Sequence, residues 1–266
     1  FANVDTLYPL ASAFAPLSNW AQKVPGAGLI QEKVLGIARE RELPTFYRTT
    51  FVDRFEAHER TVTEAEADRK ALLFPDTYTN YNRPQAGMAA VEVLEAAGVY
   101  VEVPTDVVDS GRAPHSKGFL DKAREQASHN VDAVVDDVRD GWDLVVVEPS
   151  EAVMFQSDYL DLLSGEDVET VAANAYGVHE YLDVHRLDEA VDFDAPAEQL
   201  TYHGHCHQKA TKKDHHAVGV LRRAGYGVDP LDSSCCGMAG SFGYEADHYS
   251  MSKALGSILF AQVDRS

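Results

Sequence analysis

The sequence predicts an α/β protein of two pseudo-repeated halves, each a parallel sheet covered by helices, preceded by a mostly helical arm. Short apolar runs alternate with helical patterns from residue 71 onward, which is typical of βαβ units in a parallel sheet. A helix pattern that ends in glycine occurs in both halves. The chain has 266 residues, 45% of them apolar, so it is long enough to bury a large core.

The arm is assigned to residues 1–70. Four prolines before residue 45 divide it into short pieces, because proline interrupts helices. Helices are expected over residues 29–41 and 54–70. Since the strand–helix alternation is missing from this region, we interpret it as an extended arm or linker that leads into the compact part of the chain.

The first half is assigned to residues 71–190. Its predicted strands span residues 71–74, 99–103 and 144–147. The last of them is a continuous β-branched run, which indicates burial on both faces. Its predicted helices span residues 84–97, 117–139, 151–163 and 168–182.

The second half, residues 191–266, repeats this beginning. Its predicted strands span residues 200–203 and 226–231, and its helices span residues 210–224 and 247–263. Residues 91–98 and 218–225 are similar, and both segments end in a glycine. We interpret the similarity as a diverged internal duplication; the alternative is chance similarity between Ala- and Gly-rich helices.

The charge excludes several classes of function. Asp and Glu number 43 against 23 Lys and Arg, a net charge of −20. Nucleic-acid binding and attachment to anionic lipid both need a basic surface, so neither is expected. No apolar run is long enough to predict a transmembrane helix. A carboxylate-rich surface with few lysines is typical of a halophile, and three cysteines are too few for a disulfide framework, which favours a cytoplasmic location.

The strongest chemical signal is the segment Tyr-His-Gly-His-Cys-His-Gln-Lys at residues 202–209. The pair Cys235-Cys236, followed by Gly237, comes after the other predicted strand of this half. Because the carboxyl ends of parallel strands share one edge of a sheet, we expect the two segments to meet. Thiolates and imidazoles together suit zinc or iron.

The candidate ligands are Cys206, Cys235 and Cys236, with His205 or His203 as the fourth ligand or as a hydrogen-bond donor behind the ligands. Three thiolates and one imidazole would complete a tetrahedral zinc site, whereas three thiolates and an outside ligand could hold an iron–sulfur cluster. The adjacent cysteines favour a site with more than one metal atom. The alternatives are buried thiols beside a solvated histidine loop and, third, thiol–disulfide chemistry at the cysteine pair.

Two further groups of residues are candidates for the same edge. Gly237, Gly240 and Gly243 form a Gly-rich turn that lets the backbone approach a cofactor closely, although the spacing is that of neither a dinucleotide fingerprint nor a P-loop. Glu148 ends the third strand and is a candidate metal ligand or hydrogen-bond partner of a ligand histidine. For Glu151 we expect a helix-cap charge.

Taken as a set, these motifs resemble the cysteine-rich CCG domain, which occurs in heterodisulfide reductase and in the iron–sulfur subunit of glycolate oxidase. Residues 74–81, 110–118 and 203–209 are most similar to the C-terminal part of oxidases of the D-lactate or D-2-hydroxyglutarate dehydrogenase type, which contain FAD and 4Fe–4S clusters. Together with the acidic composition, the resemblance suggests a haloarchaeal protein.

The resemblance implies an electron-transfer and metal-binding module of a flavin-linked 2-hydroxy-acid oxidoreductase that is not catalytic alone. It would carry one iron–sulfur cluster or zinc ion. FAD would lie on another domain or on a separate partner protein, and a ferredoxin-like domain would be a further partner. A zinc-stabilised docking domain without redox activity is the alternative. The location expected is cytoplasmic, with peripheral attachment to the inner face of the membrane left open.

The sequence departs from the family pattern in both halves. Thr77, Asp109-Ser110 and the segment 148–151 stand in the first half where the family has cysteines, so the first site is expected to have lost its thiolates. The second half lacks its C-x2-C motif, since the sequence stops at Ser266 near the place where that motif would begin. We therefore expect truncation there, with missing ligands beyond Ser266.

Overall fold

The computed structural model describes residues 2–232 and 235–264. The residues outside this description are Phe1, Ser233, Ser234, Arg265 and Ser266. They include the two residues directly before the Cys235-Cys236 pair and the last residue of the predicted second half.

The arm consists of short helices. They are α1 (Val4–Ala13), α2 (Leu17–Ala21), α3 (Ala27–Leu35) and α4 (Phe51–Glu56). The predicted helix over residues 29–41 is shorter than expected, because Gly36 adopts a left-handed conformation with φ of +66° and ends α3.

The predicted helix over residues 54–70 is wrong. Thr50 and Asp53 form a capping box that starts α4 early, and the helix ends at Glu56. The side chains of His58 and Thr61 then form hydrogen bonds with the Glu95 carboxylate. These bonds hold the non-helical segment that leads to the first strand. The charged residues suggested a helix, but this stretch has no apolar stripe to bury.

A four-stranded parallel sheet forms the centre of the first half. Its strands are β1 (Arg69–Phe74), β2 (Val99–Glu102), β3 (Trp142–Val146) and β4 (Ala175–Gly177), arranged in the order β2-β1-β3-β4. The three predicted strands are confirmed. β4 lies inside the predicted helix over residues 168–182, and that helix is split because the backbone of residues 175–177 pairs with β3.

Helices cover both faces of this sheet. They are α5 (Thr77–Asn82), α6 (Pro84–Ala96), α7 (Arg112–Ser116), α8 (Leu120–Arg139), α9 (Pro149–Val153), α10 (Tyr159–Leu162), α11 (Glu166–Ala173) and α12 (Val178–Val184). A π-helical turn, Met154–Asp158, joins α9 to α10, and a 3-10 turn, Leu187–Ala190, follows α12.

The second half contains a separate parallel pair of strands, β5 (Gln199–Tyr202) and β6 (Gly227–Pro230), which confirms both predicted strands. Its helices are α13 (Cys206–Ala210), α14 (His215–Arg223) and α15 (Tyr249–Val263), the last preceded by a 3-10 turn, Ala246–His248. The predicted helix over residues 210–224 is therefore two helices, because Lys212 has a φ of +59° between them.

Alternate side chains of the central strands divide the core into two layers. Leu72 and Leu144 point into the layer below α8, whereas Leu73 and Val145 point into the layer below α6. Val220 of α14 joins this second layer, so the two halves share buried apolar surface. None of the helices in the described residues is both long enough and apolar enough to cross a membrane.

We expect Leu144→Ala to lower the free energy of unfolding by about 2–5 kcal/mol, because Leu144 is fully buried and its truncation leaves a cavity between β3 and α8. Leu160→Ala is the matched control, since Leu160 on α10 is 44% exposed, and we expect it to cost about 0.5 kcal/mol or less. Chemical denaturation measures both variants. Equal effects would contradict the core assignment.

Candidate metal centre

The histidine-rich segment begins where β5 ends. His203 follows Tyr202 directly, and Cys206 is the first residue of α13. His205 caps this helix, because its Nδ1 accepts a hydrogen bond from the His207 backbone N–H at 3.3 Å. The segment thus lies at the carboxyl end of its strand, as the sequence predicts.

The cysteine pair lies in the loop that follows β6 and is held against α15. Gly237 has a φ of +80°, and a Cβ at this position would lie 2.2 Å from the carbonyl oxygen of Ser252. No other residue fits there without moving the loop. The Gly237 N–H donates to the Cys235 Sγ at 3.3 Å.

The three cysteines come together. All have intermediate exposure, and none forms a disulfide within the described residues. Burial raises the pKa of the Cys206 thiol, and the neighbouring sulfurs of Cys235 and Cys236 raise it further, the former through a hydrogen bond. A thiol whose anion is disfavoured by two other sulfurs is well placed to share a metal cation with them, since a cation stabilises all three thiolates.

These side chains open into one cavity of about 530 Å³ that lies between the two halves. Cys206, Cys236 and the three histidines of the segment line it from the second half, together with Gly240 and its neighbours. Arg112, Ser116, Lys117 and Ser150 line it from the first half. The carboxyl edges of both sheets therefore border the same space.

The histidines of the segment differ in their partners. His203 Nε2 and His207 Nδ1 are buried, and neither has a hydrogen-bond partner within the described residues. Burial lowers the pKa of both imidazoles, and the nearby His205 lowers both further, so both are neutral and able to bind a metal. His205 is engaged on both sides, because its Nε2 lies 3.6 Å from the Glu148 Oε1.

Glu148 bridges the two halves and also caps α9. Its carboxylate accepts hydrogen bonds from the backbone N–H of Ser150 at 2.7 Å and of Glu151 at 3.3 Å, and from the Ser150 hydroxyl. Glu151 lies in the first turn of α9 as expected, but the capping hydrogen bonds come from Glu148, because Glu148 precedes that turn and its side chain can fold back onto the free N–H groups. The Glu151 carboxylate points inward, and its Oε2 is buried.

In the first half, Asp76 forms a carboxyl cluster with Asp109, Glu148 and Glu151. Burial raises the pKa of Asp76 to about 7, although hydrogen bonds from Thr79 lower it, and the charges of Glu148 and Asp109 raise it further. Burial also raises the pKa of Glu151 well above its usual range, with Asp76 as the next cause. At neutral pH the cluster therefore retains protons. The sequence pattern located these residues at one edge but gave no sign of their burial.

The three glycines of the loop differ in their surroundings. Gly240 lines the cavity. Gly237 and Gly243 contact protein instead, because a Cβ at Gly243 would lie 2.6 Å from the Met238 sulfur. Both therefore hold the loop in a tight conformation around the cysteines.

A second group with metal-ligand chemistry was missed by sequence reasoning, since its members lie on different helices. Ligand atoms of Asp183, His215 and His216 lie within 4.8 Å of one another. Asp183 already accepts hydrogen bonds from His216 at 2.7 Å and from Arg223. Because both carboxylate oxygens already have hydrogen-bond partners on α14, we interpret the group as a structural network that joins α12 to α14.

Several curated proteins are similar to this chain. A component of the anaerobic glycerol-3-phosphate dehydrogenase of Escherichia coli strain K12 is 27% identical over 276 residues, which takes in the whole chain and 67% of that protein. D-2-hydroxyglutarate dehydrogenase of Pantoea ananatis is 22% identical over 93% of the chain, but the match covers only 24% of that protein. Lactate utilization protein A of Shouchella clausii is 25% identical over 64% of the chain and 72% of that protein.

These relatives are dehydrogenases or components of lactate, hydroxyglutarate or glycerol-phosphate metabolism by name, which agrees with the oxidoreductase-type resemblance. No family model matches the chain, and no solved structure does. The chain is therefore related to parts of larger oxidoreductases.

The carboxyl cluster makes stability depend on pH. The pKa of Asp76 is higher in the folded protein than in the unfolded chain, so its contribution to stability is complete at acidic pH and is lost as pH rises from about 4 to about 7. Asp76→Asn keeps the cap of α5 but cannot ionise. We expect the stability of this variant, relative to wild type, to rise over that range by at most about 1.4 kcal/mol per pH unit.

Denaturation at several pH values measures this difference. The control is Asp161→Asn, at an exposed position of α10, whose difference from wild type is expected to stay constant. A constant difference for Asp76→Asn as well would show that folding does not raise the pKa of Asp76.

Proposed function

We propose that this chain is an electron-transfer and metal-binding module of a flavin-linked 2-hydroxy-acid oxidoreductase. The observation that carries the proposal is the meeting of Cys206 and Cys236 at one cavity with two buried imidazole nitrogens that have no hydrogen-bond partner among the described residues, while Cys235 lies beside Cys206. Soft donors of this kind suit iron or zinc. The proposal extends the observation that named relatives are dehydrogenases or components of dehydrogenases.

In this proposal Cys206, Cys235 and Cys236 supply the thiolate ligands and His203 supplies the imidazole. His203 is preferred over His205 because its Nε2 is buried without a partner, whereas His205 caps α13 and faces Glu148. Glu148 then acts on the site through His205 rather than as a ligand. An iron–sulfur cluster held there would accept and pass on single electrons.

The chain is not catalytic alone in this proposal. It matches only 24% of the hydroxyglutarate dehydrogenase named above, so the remaining three quarters of such an enzyme have room for substrate and FAD sites. The proposed partners are an FAD-containing dehydrogenase, as a domain or as a separate protein, and a ferredoxin-like domain. The cavity between the halves brings the metal site to a surface that such partners can reach.

A zinc-stabilised docking domain is the second candidate function. The donor set of three thiolates and one imidazole favours it, because this set completes a tetrahedral zinc site without an outside ligand. Such a protein would be colourless. It would join the flavin domain to the electron acceptor without changing redox state.

The proposed internal duplication would leave one metal site per chain, in the second half only. We propose an arm at 1–70 and CCG-like halves at 71–190 and 191–266, in which the first half has exchanged thiolates for the carboxyl cluster. Both halves contain a parallel β-α-β pair, β1-α6-β2 and β5-α14-β6. Protonated carboxyls are poor ligands for soft metals, so only the second half would hold one.

We propose a cytoplasmic location, because three cysteines, two of them adjacent, are too few for a disulfide framework. Peripheral attachment to the inner face of the membrane is the second reading. Exposed apolar side chains of the arm, among them Phe14, Trp20 and Ile30, favour it. Co-sedimentation of the protein with vesicles would test this attachment.

The metal content of protein purified without oxygen tests the proposed function. We expect iron or zinc at close to one site per chain, and loss of most of it in Cys206→Ser, Cys235→Ser and Cys236→Ser. His203→Ala should lower metal affinity about tenfold or more, and His205→Ala by less. His215→Ala on the outside of α14 is the control and should change nothing.

A natively folded wild-type protein without metal would exclude the proposal. Visible absorption that bleaches on reduction identifies the electron-transfer function, whereas a colourless zinc protein identifies the docking domain. Equal effects of the His203 and His215 variants would remove His203 from the ligand set.

The acidic surface gives a further expectation. We propose that the net charge of −20 is an adaptation to high salt in a haloarchaeal cytoplasm. Repulsion between carboxylates is screened by salt, so the melting temperature should rise from millimolar to molar potassium chloride and should rise less with sucrose. A melting temperature that is highest at low salt would contradict this adaptation.

A further inference from the structure

We propose that Arg41 of the arm is a positioning residue for the metal site, acting through Ser252 on Gly237, the residue whose N–H faces the Cys235 sulfur. The inference rests on the proposed function, since it assigns a role toward the same three thiolates. It was not visible in the sequence, where Arg41 and the cysteine loop are about two hundred positions apart.

Arg41 holds both ends of the glycine loop. Its Nε donates to the carbonyl oxygen of Gly243 at 2.7 Å, and its terminal nitrogen donates to the Ser252 hydroxyl at 2.7 Å. The Ser252 hydroxyl donates in turn to the carbonyl oxygen of Gly237 at 2.6 Å. Gly237 is the residue whose N–H donates to the Cys235 sulfur. Gly237 therefore joins two sets of hydrogen bonds: its carbonyl is held from the arm through Ser252, and its N–H contacts a proposed metal ligand.

The geometry leaves little freedom to this arrangement. Ser252 is 1% exposed, and the left-handed Gly237 sits so close to it that a Cβ would lie 2.2 Å from its carbonyl oxygen. The Arg41 guanidinium also lies over the Tyr249 ring, 5.1 Å from its centre. A buried set of charge-assisted hydrogen bonds of this kind rigidifies the groups that it connects.

The arm is itself fixed to the loop just before Arg41. The Ala38 N–H donates to the Tyr244 carbonyl at 2.8 Å, and the Ala246 N–H donates to the Gly36 carbonyl at 2.8 Å. Backbone hydrogen bonds therefore hold the segment that contains Arg41 against the loop. A change in the conformation of the arm would affect the cysteines through Arg41.

The expected consequence is electronic as well as structural. An N–H group that donates to a metal-bound sulfur stabilises the more negative, reduced state of the site and raises its reduction potential. Without Arg41, the Ser252 hydroxyl loses the donor that orients it toward the Gly237 carbonyl, and the loop end at Gly243 is released. The N–H of Gly237 is then free to turn away from the sulfur.

The test compares Arg41→Gln, Arg41→Lys and Ser252→Ala with wild type in anaerobically purified protein. Arg39→Gln is the matched control, because Arg39 is an arm residue whose side chain is paired with Glu32 on the surface. The readouts are the sulfur-to-metal absorption band, the midpoint potential, the rate of metal loss to a chelator and hydrogen exchange at Gly237.

We expect Arg41→Gln and Ser252→Ala to keep the wild-type fold, to shift the absorption band and the midpoint potential, the latter to more negative values, and to lose metal faster. Arg41→Lys should fall between these variants and wild type. Hydrogen exchange at Gly237 should be roughly tenfold faster in Arg41→Gln. If Arg41→Gln does not fold, Ser252→Ala and Arg41→Lys carry the comparison.

The inference is overturned if Ser252→Ala and the folded Arg41 variants match Arg39→Gln in band position, potential and rate of metal loss. A wild-type protein without metal would instead refute the proposed function. In that case hydrogen exchange still decides on Arg41: faster exchange in its variants supports the connection to Gly237, and unchanged exchange refutes it.

Discussion

The close contact between Gly237 and the Ser252 carbonyl fixes where two of the three cysteines stand. Because Gly237 has no Cβ, the loop can lie directly on the first turns of α15. In this position the Gly237 N–H reaches the Cys235 sulfur. Cys206 meets the pair from the start of α13. Once the loop is held there, the position of the cavity and the burial of His203 follow from the course of the two strands β5 and β6.

The two halves place different chemistry at the same kind of edge. The second brings thiols and neutral imidazoles to the carboxyl ends of its strands, and the first brings four carboxyl groups. The Lys117–Glu245 ion pair, at 2.7 Å, joins the halves beside the cavity, and hydrogen bonds from Lys117 and Ser241 lower the pKa of Glu245 to about 2. The cavity therefore has walls of different character: the second half contributes Cys206, Cys236 and imidazoles, and the first half contributes Arg112 and Lys117.

Sequence patterns predicted most strands because each is a short apolar run between glycine or proline stops. β4 was missed since it has only three residues and gains its structure from pairing with β3, which no local pattern records. The meeting of Cys206 with Cys235 and Cys236 was predictable from strand order. The choice between His203 and His205 was not, because it depends on which nitrogen caps a helix, and Arg41 contacts the loop from a distant part of the chain.

The central claim is that three cysteine sulfurs bind one metal site at the edge of the second sheet. X-ray absorption spectroscopy at the iron and zinc edges tests it most directly, because it identifies the atoms around the metal without regard to activity. The account predicts a metal–sulfur shell at about 2.3 Å that is depleted in the Cys235→Ser variant. A metal surrounded only by oxygen and nitrogen, or a sulfur shell that persists unchanged in this variant, would contradict it.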